Sequence, residues 1–187
     1  SGSIQLQHNA RPGLRPYIHP LHGPGGLACL TEDSPWHHPW QHGVQTGFHG
    51  VNGCDFWFDP GHRSTAIIGT IDPGIPVIEM VDPPSWRISS IWRHSDQSEL
   101  FSEQQIWSLQ SWDGLLLLDL DWCLRAVPDV VVDQGPYGGL FVRMPFQDPK
   151  TTTIVNSALQ KDDDTEQQPA AWVDLSMPVN GGTLIGG

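Results

Sequence analysis

The chain of 187 residues carries nine Lys and Arg against 21 Asp and Glu, so its formal net charge at pH 7 is −12. A surface this negative repels phosphate backbones and anionic lipids, and we expect neither nucleic acid nor membrane among its partners. The most apolar stretch, residues 115–118, is followed at once by aspartates, far short of the roughly 20 apolar residues that a membrane span needs.

The predicted elements are strands. Seventeen Pro and 20 Gly interrupt the chain throughout, which leaves little room for long helices. Between these breaks apolar residues recur with a period of two, which is typical of half-buried strands. The pattern predicts an all-β fold, an antiparallel sandwich or supersandwich with little helix, as a single domain over residues 1–187. The predicted strands are residues 15–21, 44–48, 55–58, 64–71, 76–81, 86–94, 103–111, 118–126, 140–144 and 171–175.

The clearest strand is residues 118–126, where apolar side chains alternate with Asp119, Asp121 and Arg125. The dipeptide Asp113-Gly114 before it is a hairpin signal and pairs this strand with residues 103–111. The glycine-rich end, residues 181–187, is typical of a strand entering or leaving a turn. We therefore expect the native protein to continue beyond residue 187.

The three cysteines, Cys29, Cys54 and Cys123, are widely spaced and form no CxxC motif. An odd number at this spacing argues against a disulfide framework and against a thiolate zinc site. We expect free thiols, which fit a reducing compartment, and we predict a cytoplasmic location.

Eight of the nine histidines lie in the first 62 residues, and the densest segment is PWHHPWQHG. Imidazole acts as general acid, general base or metal ligand near neutral pH, and the face of Trp suits stacking on a sugar ring. We predict catalytic roles for His38 and His42 and substrate binding by His37 and Trp40; the alternative is a polar loop with satisfied hydrogen bonds. The spacing matches no metal motif, and we predict no cofactor.

Two segments flank this histidine loop. His22 precedes a glycine-rich turn that lacks the Lys and the helix of a phosphate loop, and we place His22 among the substrate-binding candidates. On the predicted strand 55–58, Asp55 and Trp57 share a face that can line a cleft, whereas two Phe side chains face the core. We predict a catalytic role for Asp55 and a stacking role for Trp57. Alternatively, Asp55 accepts backbone N–H bonds at the turn.

Arg143 is the one charged residue in the apolar segment YGGLFVRMPF. A guanidinium there must be paired or must face a ligand, and both readings remain open. Three aspartates are candidate partners: Asp119, Asp121 and Asp174. If Arg143 faces a ligand, it belongs to the catalytic set, and Tyr137 at the start of the segment contributes to substrate binding.

These segments resemble the bacterial PmoA-like family of unknown function, whose members are often labelled methane oxygenase PmoA. The matching words, in the family's order over most of the chain, are RPYIHPLHGPGG, SPWHHPWQHG, VNGCDFW, YGGLFVRMPF and AAWVDLSMPV. Of the family's Asp-His-Pro-His-His-Arg-Gly loop this chain keeps His38, Pro39 and Gly43. The resemblance implies a sandwich similar to that of sugar mutarotases and a link to sugar metabolism. A methane monooxygenase is excluded, because its subunit is a membrane protein.

The leading hypothesis is an enzyme of carbohydrate catabolism that acts on a neutral or oxidised sugar by histidine acid–base chemistry, as a lyase, hydrolase or epimerase. Its ligand would be a small molecule or an oligosaccharide, and Arg143 would polarise a carbonyl or carboxylate. Two alternatives come from other classes. A non-catalytic carbohydrate-binding sandwich explains the tryptophans, and a metal-dependent β-sandwich enzyme needs His ligands that converge with a carboxylate.

Overall fold

A computed structural model describes residues 5–26, 28–62, 67–145 and 150–178 and the backbone of residues 179 and 182–186. Within these ranges the helices are two 3₁₀ segments, Pro24–Gly26 and Asp162–Thr165. None is long and apolar enough to cross a membrane. The predicted all-β fold with little helix is confirmed. In chain order the strands are β1 (Leu6–Arg11), β2 (Leu14–Leu21), β3 (Val44–Phe48), β4 (Cys54–Asp55), β5 (Ile67–Ile68), β6 (Thr70–Pro73), β7 (Val77–Val81), β8 (Pro84–Arg93), β9 (Glu99–Trp112), β10 (Leu115–Ala126), β11 (Gly138–Val142), β12 (Thr153–Asn156), β13 (Val173–Val179) and β14 (Gly182–Gly186).

The chain forms two compact units, residues 1–144 and 145–187. In the first unit two antiparallel sheets pack face to face. The first sheet has the strand order β1-β2-β3-β11, and the second has the order β10-β9-β8-β6, with β7 also paired to β8. Ile18 of β2 and Val44 of β3 pack against Trp86 of β8 and Trp107 of β9. Burial of these alternating apolar side chains, worth about 25 cal/mol per Å², stabilises the sandwich.

The hairpin predicted at Asp113-Gly114 is confirmed. β9 pairs antiparallel with the whole of β10, from Leu115 opposite Trp112 to Ala126 opposite Phe101. Asp113 and Gly114 both have positive φ, 46° and 77°, as a two-residue hairpin turn of this hand requires. The turn residues and the period-two pattern therefore agree, which fixes the register of the longest strand pair.

A polar cluster around Glu103 joins the two sheets inside the core. Glu103 of β9 is 3% exposed, and its Oε1 atom accepts hydrogen bonds from Thr46, Gln105 and Trp122 at 3.2, 2.9 and 2.8 Å. Thr46 belongs to β3, so its hydrogen bond runs from one sheet to the other. Three donors on one oxygen offset much of the cost of removing a carboxylate from water.

The predicted strand at residues 55–58 is wrong beyond its first residue. The observed strand β4 covers Cys54–Asp55 alone, because Oδ1 of Asp55 accepts the backbone N–H groups of Trp57 at 2.6 Å and Phe58 at 3.0 Å. Such side chain to backbone bonds compete with a strand ladder and turn the chain. Phe56 packs in the core as predicted, but Trp57 is also buried, 4% exposed.

Other strand boundaries differ less. Of the predicted strand 64–71, residues 64–66 lie outside the described residues, and the rest forms β5 and β6 on either side of Gly69. The sequence pattern does not predict β1 or β12, whereas the strand expected within residues 181–187 corresponds to β14. β1 is an edge strand with mostly half-buried polar side chains, so its apolar alternation is weak.

The second unit contains a three-stranded antiparallel sheet in the order β12-β13-β14. The predicted strand 171–175 corresponds to β13. Asn156 at the end of β12 is fully buried, and its side-chain oxygen accepts the backbone N–H groups of Ala158 and Gln160. This asparagine therefore shapes the turn after β12. That residues 1–187 form one domain stays a prediction.

Candidate functional site

The candidate site lies on the outer face of the first sheet. Since Ile18 and Val44 point into the core, their neighbours Tyr17 and Gln45 project from the opposite face. Arg15, two residues before Tyr17, reaches the following loops and donates to the backbone carbonyls of Phe56 and Trp57. The sheet thus provides a rigid base, and loops of irregular backbone carry most of the candidate residues above it.

His42 lies at the centre of a partly buried ionic network on this face. It is 5% exposed, its Nδ1 lies 2.6 Å from Oδ1 of Asp33, and its Nε2 lies 2.8 Å from Oδ2 of Asp59. The other oxygen of Asp59 accepts a hydrogen bond from Arg15 at 3.0 Å. Tyr17 stacks on the imidazole with ring centroids 4.7 Å apart and donates to Asp33 at 3.3 Å. The network ties β2 to the two loops that carry Asp33 and Asp59.

Both ring nitrogens of His42 therefore face carboxylate oxygens, which favours the doubly protonated imidazolium. Burial by itself lowers the pKa of His42, but the hydrogen bonds to Asp59 and Asp33 outweigh burial and raise this pKa above 6.5. For Asp33, burial alone raises the pKa. The hydrogen bonds with His42 and Ser34 outweigh burial, and the net effect is a pKa below 3.8. In this arrangement His42 has no free nitrogen for a substrate, and it acts as a fixed cation.

We expect this network to make stability depend on pH. The His42 contribution is fully present below its unfolded pKa of 6.5 and is lost as pH rises through the raised folded pKa. The Asp33 contribution is present above 3.8 and is lost as pH falls through its lowered pKa. Urea unfolding from pH 5 to 9 measures this effect: the parent chain should lose more stability above pH 6.5 than His42→Gln. Parallel curves would contradict the assignment.

Arg143 is paired, and its partners are not the predicted ones. Its Nε donates to Oε2 of Glu32 at 2.9 Å, Nη1 donates to Oε1 of Gln41 at 3.2 Å, and Nη2 lies 2.9 Å from Nε2 of His37. The contact with Glu32 replaces the expected pairing with Asp119, Asp121 or Asp174. Arg143 follows β11, and it therefore ties the edge of the first sheet to the histidine loop.

The histidine loop arranges its rings edge to face in a continuous series. His37 lies 4.8 Å from His38, His38 lies 5.2 Å from Trp40, and Trp40 lies 5.1 Å from Phe58, all between ring centroids. His62 joins the end of the series, stacked on Phe58 at 4.2 Å. We call these five residues the aromatic array. Their ring geometry is that of favourable aromatic pairs.

His38 retains free ring nitrogens within the described contacts. Neither nitrogen makes a hydrogen bond to a described residue, and Nδ1 is buried without a partner. Burial, together with the nearby charges of His37 and Arg143, lowers the pKa of His38 below 6.5. A lowered pKa keeps the imidazole neutral at neutral pH, so that it can accept a proton.

A second aromatic group lies beside the array. Trp57 stacks on Tyr137 at 5.4 Å with an interplanar angle of 15°, and Phe141 meets Trp57 edge to face at 5.4 Å. Tyr137 is 52% exposed, whereas Trp57 is buried. Of these two predicted binding residues, Tyr137 is therefore accessible to a ligand, whereas Trp57 is buried and packs against the Tyr137 ring.

Close to both groups, His49 pairs with Asp55. Nδ1 of His49 contacts Oδ2 of Asp55, which is 2% exposed, while the imidazole itself is 35% exposed. The tight turn at Asn52-Gly53, closed by two backbone hydrogen bonds between Val51 and Cys54, brings the two side chains together. Asp55 thus combines the two roles weighed from the sequence, since one oxygen caps the turn and the other faces an imidazole.

The structure brings eight of the nine predicted site residues to this face, through the network, the array and the groups beside them. His22 is apart: it follows β2, bridges to Cys29, and makes no described contact with the other candidates. Sequence reasoning missed His49, Asp59, Asp33 and His62. For His49 a signal was present, because the Asn-Gly turn folds the chain back between it and Asp55.

Two further observations bear on ligands. Within the described ranges no group of three or more His, Cys, Asp or Glu side chains converges as a metal site would require. A groove of about 540 Å³ crosses the outer face of the second sheet, and its lining, which includes Ser89, Gln104, Cys123 and Arg125, contains none of the predicted site residues.

The described residues define an all-β sandwich protein with a histidine- and aromatic-rich site on the outer face of one sheet. Residues 5–186 match the profile of the family of unknown function DUF6807, and the chain belongs to that family. No curated protein and no solved structure matches the chain.

Proposed function

We propose that this protein is an enzyme of carbohydrate catabolism that acts on a neutral or oxidised sugar by histidine acid–base chemistry. The observation that carries the proposal is the aromatic array, in which His38 lies directly beside Trp40 and neither of its ring nitrogens is hydrogen-bonded to a described residue. Rings of this kind stack on the C–H face of a sugar, and a neutral imidazole next to them can move a proton. Lyase, hydrolase and epimerase steps all use that combination.

Charge supports an uncharged or weakly charged ligand. The chain has a net charge of −12, and the Arg143 guanidinium is already paired with Glu32. Arg143 nevertheless lies 2.9 Å from His37 at one end of the array, where its remaining N–H groups can orient a carbonyl or carboxylate of an oxidised sugar. The resemblance to PmoA-like proteins, which implies a link to sugar metabolism, belongs to the same proposal, as does a cytoplasmic location.

The proposal assigns different roles to the two histidines of the predicted catalytic set. His38 transfers protons, because no described residue forms a hydrogen bond with its ring nitrogens. His42, held between Asp33 and Asp59, keeps the loops in place and contributes a fixed positive charge. Trp40 and Tyr137 bind substrate, and no resident cofactor is part of the scheme.

A binding screen over neutral sugars, uronates and keto-sugars tests the ligand class. We expect calorimetry to find a ligand whose affinity falls about 5–10-fold in Trp40→Ala, equivalent to roughly 1–1.4 kcal/mol. Trp112→Ala, at an exposed tryptophan of the β9–β10 hairpin (77% exposed), is the matched control and should bind like the parent. Equal loss in both variants, or no sugar bound at all, would contradict the proposal.

A non-catalytic carbohydrate-binding module is the second candidate. It is favoured by Trp36, which is 91% exposed at the start of the histidine loop and offers a bare ring for stacking. Sugar binding that depends on Trp36 and Trp40, without turnover of any sugar that binds, would favour this module over the enzyme.

A further inference from the structure

We infer that His49 and Asp55 form a second proton-transfer group of this site, in addition to His38, with Nε2 of His49 as the atom that accepts a proton from a hydroxyl of the bound sugar. The inference rests on the proposed function and adds to it a catalytic residue and its positioning partner. It is carried by the geometry of the pair and its place beside the aromatic array.

Asp55 is the buried partner of the pair. Its carboxylate is 2% exposed, and the N–H groups of Trp57 and Phe58 both donate to Oδ1, so that it is fixed in position and orientation. Oδ2 contacts Nδ1 of His49, although the two atoms do not form a regular hydrogen bond, and neither has another hydrogen-bond partner among the described residues. The negative charge beside Nδ1 favours the neutral tautomer that carries its proton on Nδ1, and this tautomer leaves the lone pair on Nε2.

The imidazole ring of His49 is packed on several sides. Phe58 and Tyr137 each meet it edge to face, with centroids 6.4 Å away and interplanar angles of 87° and 88°. A Cβ atom on Gly135 would lie 3.1 Å from Cδ2 of His49, so the backbone there packs closely against the ring. Yet the His49 side chain remains 35% exposed, and Nε2 makes no hydrogen bond to a described residue.

Among the described residues, three histidines each face an aspartate: His42, His49 and His94. His42 has a carboxylate on each nitrogen and no free lone pair. His94 pairs with Asp96 at 3.4 Å, but that aspartate side chain is 68% exposed and holds the ring weakly. His49 combines one buried, fixed carboxylate with one free nitrogen, which is the arrangement that a general base requires.

The position of the His49–Asp55 pair beside the aromatic array brings it close to the proposed sugar. Phe58 links His49 to Trp40, since its ring lies 6.4 Å from the first and 5.1 Å from the second. A sugar stacked on the array therefore lies on the same surface of the protein as Nε2 of His49. In the step, a sugar O–H bond breaks, an Nε2–H bond forms, and the electron pair stays on the sugar oxygen. Asp55 stabilises the imidazolium until the proton is returned.

Ring-nitrogen NMR of the whole chain tests the geometry independently of turnover. His49 signals are assigned by their loss in His49→Gln. In the neutral imidazole we expect one tautomer, protonated on Nδ1, and a mixture of tautomers in Asp55→Asn, which keeps an oxygen to cap the turn. A proton on Nε2 in the parent chain, or an unchanged tautomer in Asp55→Asn, would overturn the inference.

Kinetics on a sugar that the parent chain turns over test the chemistry. His49→Gln should lower kcat by about 10²–10⁴ with little change in KM, and Asp55→Asn should lower kcat less and shift the pH profile. His94→Gln, at the exposed His–Asp pair, is the matched control and should keep full activity. Full kcat in His49→Gln overturns the pair while the proposed function stands. A parent chain that is inactive on every sugar it binds overturns both.

Discussion

His38→Ala should lower kcat by about 10²–10⁴, equivalent to about 3–5 kcal/mol of transition-state stabilisation, and leave sugar binding nearly intact. The reason is that the ring nitrogens of His38 form no hydrogen bond with the described residues and that its pKa is lowered. His38 therefore serves the transition state through proton transfer and contributes little to ground-state binding. Steady-state kinetics and calorimetry on the same sugar measure the two effects separately.

Trp40→Ala provides the contrast. A stacking ring stabilises substrate and transition state alike, so its loss should mainly raise KM and change kcat little. The two side chains lie 5.2 Å apart in the same array, and general disruption of the loop would therefore affect both variants in the same way. If His38→Ala keeps the parent kcat, His38 has no catalytic role.

Asp59→Ala should lower the free energy of unfolding by about 3–5 kcal/mol. The change removes the carboxylate that pairs with both Arg15 and His42. Arg15 is 3% exposed, and the variant would leave its buried guanidinium with the backbone carbonyls but without the carboxylate that it pairs with. Urea unfolding followed by tryptophan fluorescence gives this free energy.

Two further variants make the measurement specific. Asp59→Asn keeps an oxygen that accepts from Arg15 and should lose less stability than Asp59→Ala. Glu79→Ala removes one partner of the exposed Glu79–Arg87 pair, whose side chains are 39% and 35% exposed, and should cost no more than about 1 kcal/mol. If Asp59→Ala costs as little as Glu79→Ala, the network does not stabilise the fold.

The same network explains how a site can be held on loops. The histidine loop and the segment around Asp59 have irregular backbone, which is usually mobile. Here Arg15, anchored on β2, binds the carbonyl oxygens of Phe56 and Trp57 as well as Asp59. A buried cation of the sheet thus sets the position of Phe58, and through Phe58 that of the aromatic array and of His49.

The sequence by itself determined the all-β fold and the approximate positions of most strands. β3 was predicted at its observed bounds, and the β9–β10 hairpin followed from Asp113-Gly114, because side-chain alternation and turn chemistry are local properties that neighbouring residues encode. The density of histidine and tryptophan in residues 35–43 also indicated the site. The strand at residues 55–58 failed for an equally local reason, since the Asp55 side chain competes with the ladder for backbone N–H groups.

Only the tertiary structure decided which charges meet. Arg143 pairs with Glu32, which lies 111 residues away in the chain, and His42 lies between Asp33 and Asp59. These contacts depend on the strand order, which places β11 beside β3, and on the paths of two loops over the sheet. A carboxylate has the same chemistry wherever it occurs in the sequence, so residue type shows that a buried charge needs a partner and the fold alone supplies the partner's identity.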